Sequence, residues 1–132
     1  MIQRIQSVFL FLAALAMALL FLFPYVEVGA DDYFIQEYMP QLIFAAIFIL
    51  GSIITIFLFR NRLLQLRLTR ILLIFLLAFV VYAVYQLFQI DFENVGFERG
   101  SLLPAFAAYF LSRAMNGIQK DESLVRGMDR LR

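Results

Sequence analysis

Arg60-Asn-Arg62-Leu-Leu-Gln-Leu-Arg67-Leu-Thr-Arg70 carries four guanidinium groups and no acid. A guanidinium presents a fork of donors that matches phosphate or carboxylate oxygens, so this stretch offers capture of anionic headgroups or of an acidic partner. Arg113, Arg126 and Arg130 extend the same chemistry toward the C-terminus and complete the candidate lipid or partner contacts. A second constellation, Tyr82, Tyr85, Gln86 and Gln89, falls at i, i+3, i+4 and i+7 and shares one helical face. Such a polar stripe could line a route for a small ligand or ion; the same rings and amides also suit a belt at headgroup depth.

Other chemistries find little support. The chain has no Cys and no His, which removes disulfides, thiolate nucleophiles, imidazole metal sites and histidine general bases. Asp31-Asp32 lacks the spaced oxygen ligands of an EF-hand. Lys120, Asp121, Glu122 and Asp129 would have to serve any catalytic or metal site, and their spacing matches none; Asp121-Glu122 at a helix start would favour the helix dipole. The expectation is therefore a non-enzyme with no catalytic residue, metal or cofactor, and no nucleic-acid partner.

The elements that position these residues follow from composition. Of 132 residues, 64% are hydrophobic and the mean hydropathy is +0.87, against roughly 45–50% apolar residues in a soluble domain. Such a chain is expected to be one integral membrane domain over residues 1–132, all-α, with four transmembrane helices at about 5–23, 41–59, 69–90 and 101–118. The first apolar run follows a short basic start and could be mistaken for a signal peptide. It continues beyond the small-residue sites at Ala14-Leu-Ala16 and Ala16-Met-Ala18, which favours an uncleaved helix. Pro40 opens the second span, and Gly51, Ser52 and Thr55 form a small patch where a neighbour can approach. In the fourth span Arg113 sits near one end, where snorkelling lowers its cost, and Ser101, Ala105, Ala108 and Ser112 make a small face. Residues 119–132 form an amphipathic tail with Leu124, Val125, Met128 and Leu131 on one side. Glu122–Arg126 and Asp129–Arg132 are potential surface pairs, and Gly127 weakens the helix.

Charge sets the topology. Ten of the eleven basic residues lie in the N-terminus, the arginine elbow and the region from Arg113 onward; only Arg99 lies elsewhere. Seven of the ten acids lie at 27, 31, 32, 37, 91, 93 and 98, in the other two connections. Short basic segments stay in the cytoplasm. Both termini and the elbow are thus expected inside, with two short acidic loops outside that could pair as strands or a small hairpin around Val26-Glu-Val28. Partners would be membrane lipids, a protein at the cytoplasmic face, or further copies of the chain. A small oligomeric transporter or channel using the tyrosine–glutamine stripe is the alternative.

The opening Met1-Ile-Gln-Arg-Ile-Gln-Ser7, the elbow, Leu103-Pro104 and the closing Lys120-Asp-Glu-Ser-Leu-Val-Arg-Gly-Met-Asp-Arg-Leu-Arg132 resemble a Bacteroidota family of small integral membrane proteins, a domain of unknown function. Gly127-Met128 departs from the Ser-Ala pair of that pattern. The resemblance implies four spans in a bacterial inner membrane and supplies no activity, cofactor or catalytic residue.

Overall fold

The computed structural model describes residues 2–28, 31–89 and 95–129. Four helices dominate it: α1 (Ile2–Leu19), α2 (Met39–Phe57), α3 (Arg62–Gln89) and α4 (Leu103–Asp129). Three short strands, β1 (Val26–Val28), β2 (Asp31–Tyr33) and β3 (Val95–Phe97), lie in the α1–α2 and α3–α4 connections.

Local chemistry explains most boundaries. Past Leu19 the chain continues in turns, with Phe23 N–H donating to the Leu19 carbonyl at 3.1 Å, until Pro24, which has no N–H to extend a helix. The first span expected at 5–23 is thus α-helical only to Leu19. Pro40 occupies the first turn of α2, where its missing donor costs nothing. That helix tightens into a 3-10 turn over Leu58–Arg60. Asn61 then breaks and restarts the chain, its side-chain oxygen accepting from Leu64 N–H at 3.3 Å, as N-cap asparagines do.

Two helices run beyond the expected spans. The third span is expected at 69–90; α3 is longer and begins at Arg62, because arginine is a good helix former and its charged head does not require a loop. The fourth span and the tail are one continuous helix from Leu103 through Gly127 to Asp129, so Asp121-Glu122 lies mid-helix and not at a helix start. Leu124 and Met128 remain exposed on it. Ile90, Asp91, Glu93, Arg130, Leu131 and Arg132 fall outside the described residues.

Each helix packs on two others: α1 on α2 and α4, and α3 on the same two. Leu10, Ala13, Met17, Phe48, Leu76 and Leu111 form the centre of the core. A Cβ at Gly51 would lie 2.8 Å from Leu72 Cδ2, so that glycine admits α3 closely. On α4 the buried ridge is Ala107, Leu111, Ala114 and Ile118. It replaces the expected face at 101, 105, 108 and 112, because Leu111 and Ile118 bring more apolar area to the contact than serines can.

β1 pairs antiparallel with both β2 and β3, in the order β2-β1-β3. The register Val26↔Tyr33 and Val26↔Phe97 ties the two acidic connections together at one end of the molecule. The elbow and the outer ends of α1 and α4 occupy the other. Two helices, Met39–Arg60 and Arg62–Gln89, are long and apolar enough to cross a membrane; the apolar part of α1, Ile5–Leu19, is shorter.

Candidate functional site: an arginine cleft at the elbow end

Helical periodicity sorts the elbow arginines. Leu63, Leu66, Arg67 and Arg70 fall on one face of α3, whereas Arg62 lies five residues from Arg67 and points elsewhere. On α4, Gln119, Glu122, Ser123 and Arg126 repeat at i, i+3, i+4 and i+7. These two faces meet in a cleft of about 370 Å3 that holds Arg67, Arg70 and Arg126. Arg60 stays exposed in the 3-10 turn, outside the cleft. Arg130 lies outside the described residues.

The cleft is electrostatically unfinished. Arg126 Nε sits 3.0 Å from Glu122 Oε1, an i,i+4 pair with the arginine side chain 66% exposed. Glu122 offsets one positive charge, and Arg67 and Arg70 face the same space with no ion pair within 4.0 Å among the described residues. An incoming phosphate would find guanidinium donors on two sides, with Leu63 and Leu66 beneath.

Two buried amides that sequence reasoning did not single out fix the helices behind this cleft. Gln65 is 3% exposed, and its Nε2 donates to the Thr55 carbonyl at 3.3 Å. Thr69 Oγ1 donates to the Gln65 carbonyl at 2.8 Å. Gln65 thereby locks the start of α3 to the last turn of α2, which settles the direction of Arg67 and Arg70. On α4, Asp121 is 7% exposed and accepts from Gln6 Nε2 at 2.7 Å. A buried carboxylate needs such a donor, and the bond sets the rotation of α4 against α1. Gly117 makes room for it, since a Cβ there would lie 3.0 Å from Gln6 Cγ.

The remaining candidates are not brought into the cleft. Arg113 is exposed, its guanidinium carbon 5.8 Å from the centroid of the Phe9 ring on α1, a cation–π contact. The tyrosine–glutamine stripe satisfies itself along α3: Gln86 Nε2 donates to Tyr82 Oη at 2.9 Å and Gln89 Nε2 to Tyr85 Oη at 3.0 Å. The Tyr82 ring also stacks on Phe44 of α2, centroids 6.1 Å apart, while Tyr85 is exposed. Among the described residues, no cluster of three or more acids could hold a metal ion.

These features define a helical, strongly apolar protein with two membrane-competent helices. Residues 2–131 match the family described as a domain of unknown function, DUF4293, and the chain belongs to it. No curated protein and no solved structure matches the chain.

Proposed function

We propose that this protein is a non-enzymatic, four-span membrane protein whose arginine cleft binds the phosphate of anionic lipid headgroups at the cytoplasmic face. The observation that carries this reading is the convergence of Arg67, Arg70 and Arg126 at the end opposite the acidic sheet. Short basic segments are retained on the cytoplasmic side, which puts the elbow and both termini inside. Each basic residue near an anionic surface adds about 1 kcal/mol.

Exposed side chains support insertion of the whole bundle. Ile43, Ile47, Leu50, Ile54 and Phe57 form an outward stripe on α2, and Ile74, Leu77, Val81, Val84 and Phe88 form one on α3. In the most apolar window of each helix only 22% of residues are buried, unlike a soluble core helix. α1 and α4 add Val8, Phe11 and Leu15, and Phe106 and Tyr109. At 1.5 Å per residue α4 is about 40 Å long, enough to cross a core of about 30 Å and leave its charged end in the headgroups.

The test is native mass spectrometry of protein extracted gently from its own membrane, beside an Arg67→Gln/Arg70→Gln variant. Bound anionic lipid that the variant loses is the expected result. A co-purifying protein lost by the same variant would move the cleft to partner binding, and a lipid-free homo-oligomer would revive a pore built from the Tyr82–Gln89 stripe.

A further inference from the structure

A second cavity, of about 310 Å3, lies at the opposite end between α3 and α4, beneath the sheet. Its volume is at the lower end of ligand pockets, roughly 300–1,000 Å3. Val80 and Ala83 of α3 face Ala105 and Ala108 of α4 across it, with Val26 and Phe97 of the strands overhead. Polar groups contribute little: the Ser101 hydroxyl already donates to the Glu98 carbonyl at 2.7 Å. Leu77, Val84 and Phe97 line the cavity yet are largely exposed, so it opens sideways between the two helices. Its α3 wall runs from Leu76 to Leu87, roughly 16 Å along the axis, about half of a 30 Å hydrocarbon core.

We infer that this cavity seats one acyl chain of an outer-leaflet phospholipid with an amine-bearing headgroup, a site that rests on the membrane insertion proposed above. The length matches the chain region of a single leaflet, and the mouth faces the hydrocarbon that would surround α3 and α4. Charge at this end of the molecule selects the headgroup. Arg99, next to the cavity residues Gly100 and Ser101, is the one base in the two acidic connections. Glu98, whose carboxylate accepts from the Arg99 N–H at 3.3 Å, and Glu27, Asp31 and Asp32, which the sheet holds at the same end of the molecule, would repel an anionic headgroup and attract an ammonium. A zwitterionic lipid answers both, its phosphate toward Arg99 and its amine toward the acids. The two ends of the molecule then prefer different lipids.

The experiment places the full chain in vesicles of equal phosphatidylethanolamine and phosphatidylglycerol, with either lipid carrying a diazirine in its acyl chain. After irradiation, adducts are mapped residue by residue by mass spectrometry. With the ethanolamine probe, labelling at Val80, Ala83, Ala105 and Ala108 should exceed that at the lipid-facing flanks Ile43, Ile47 and Phe106 by about tenfold. The glycerol probe should label the cavity several-fold less, and Ala108→Phe should remove the excess. Equal labelling of cavity and flanks would overturn the site, because ordinary surrounding lipid would explain it. Equal labelling by the two probes would overturn the headgroup assignment. No labelling anywhere, with protein that fails to float with the vesicles, would mean that membrane insertion itself is wrong. The wild-type map decides the question even where Ala108→Phe does not fold.

Discussion

The elbow end and the sheet end solve opposite problems with opposite means. At the elbow, helices are positioned by buried side-chain hydrogen bonds, Gln65 to Thr55 and Gln6 to Asp121, which leaves the guanidinium groups free to face outward. At the sheet end the chain is positioned by backbone: β1 pairs with both neighbours, and Gly100 N–H donates to the Pro24 carbonyl at 3.0 Å. Here the polar chains are acids, and the space beneath is apolar. A cleft built by side chains can change its charge without changing its fold, whereas an end built by backbone contacts tolerates little change in shape.

The sharpest way to break the contrast is to erase the charge difference. Arg60→Gln, Arg62→Gln, Arg67→Gln and Arg70→Gln together should weaken or invert insertion, read with topology reporters fused at each end; unchanged orientation would remove the elbow as the main determinant. Arg113→Leu asks the same of α4 alone: normal insertion with all interactions intact would make Arg113 an anchor.

The next largest effects are on stability. Gln6→Leu strips Asp121 of its donor and should cost about 1.5–3 kcal/mol, while Gln6→Leu with Asp121→Leu should recover much of it, since replacing both partners is far milder than orphaning one. Thermal unfolding in detergent reads both, and equal losses would show that the bond positions nothing. At the other end, a Cβ at Gly100 would lie 2.5 Å from the Pro24 carbonyl oxygen, a backbone atom that cannot swing away. Gly100→Ala should therefore cost about 1–3 kcal/mol. Gly117→Ala should be near neutral only on balance: a Cβ there presses on Gln6 Cγ at 3.0 Å and strains its bond to Asp121, which offsets a regained helix propensity of about 0.5–1 kcal/mol.

How far the sequence carries differs between the two ends for physical reasons. The charge partition is legible because every charge in hydrocarbon is expensive, so its absence from long runs marks the apolar helices. Pro24 and Pro40 mark helix limits because the constraint lies within one residue. The start of α3 at Arg62 is not legible in this way, since arginine suits both a loop and a helix end. Convergence of Arg67 and Arg70 with Arg126 is half legible: the i,i+3 and i,i+4 spacings are local, but the meeting of the two faces depends on helix rotation. That rotation rests on Gln6 and Asp121, 115 positions apart, and no local pattern announces such a pair. The contact face of α4 is not legible for the same reason: a small stripe at 101, 105, 108 and 112 and a ridge that includes Leu111 and Ile118 lie side by side, and only the partner helix selects between them. The cavity beneath the sheet is not legible in the sequence, since Ala105 and Ala108 read only as a small packing face until Ala83 and the strands close a space beside them.

Tyr25, beside β1, sharpens the comparison through pH. Burial pushes its phenol up to about 12, with the Gln41 amide partly offsetting that effect. The Gln41 side chain makes no hydrogen bond among the described residues, so the offset is a modest polar influence. An acid whose folded pKa is raised favours the folded state while protonated. Its contribution is complete below the ordinary value of 10.0 and is lost as pH rises to about 12. Alkaline unfolding over that window should be shallower in Tyr25→Phe, and an unchanged profile would assign the loss to other groups.

The smallest stability change carries the most specific functional consequence. Glu122 and Arg126 form an exposed i,i+4 pair, worth about 0.3–0.5 kcal/mol, so Glu122→Gln should barely move the unfolding temperature. It also removes the one acid from a cleft that holds three arginines and frees the Arg126 fork for an incoming phosphate. Binding to vesicles containing phosphatidylglycerol should tighten severalfold, in line with about 1 kcal/mol per effective charge, and the gain should shrink at high salt. The cavity beneath the sheet, at the other end of the molecule, should keep its labelling by ethanolamine lipid unchanged. A variant that binds anionic vesicles no better than the parent would show that the cleft is an insertion signal alone, since a positive-inside charge needs no ligand.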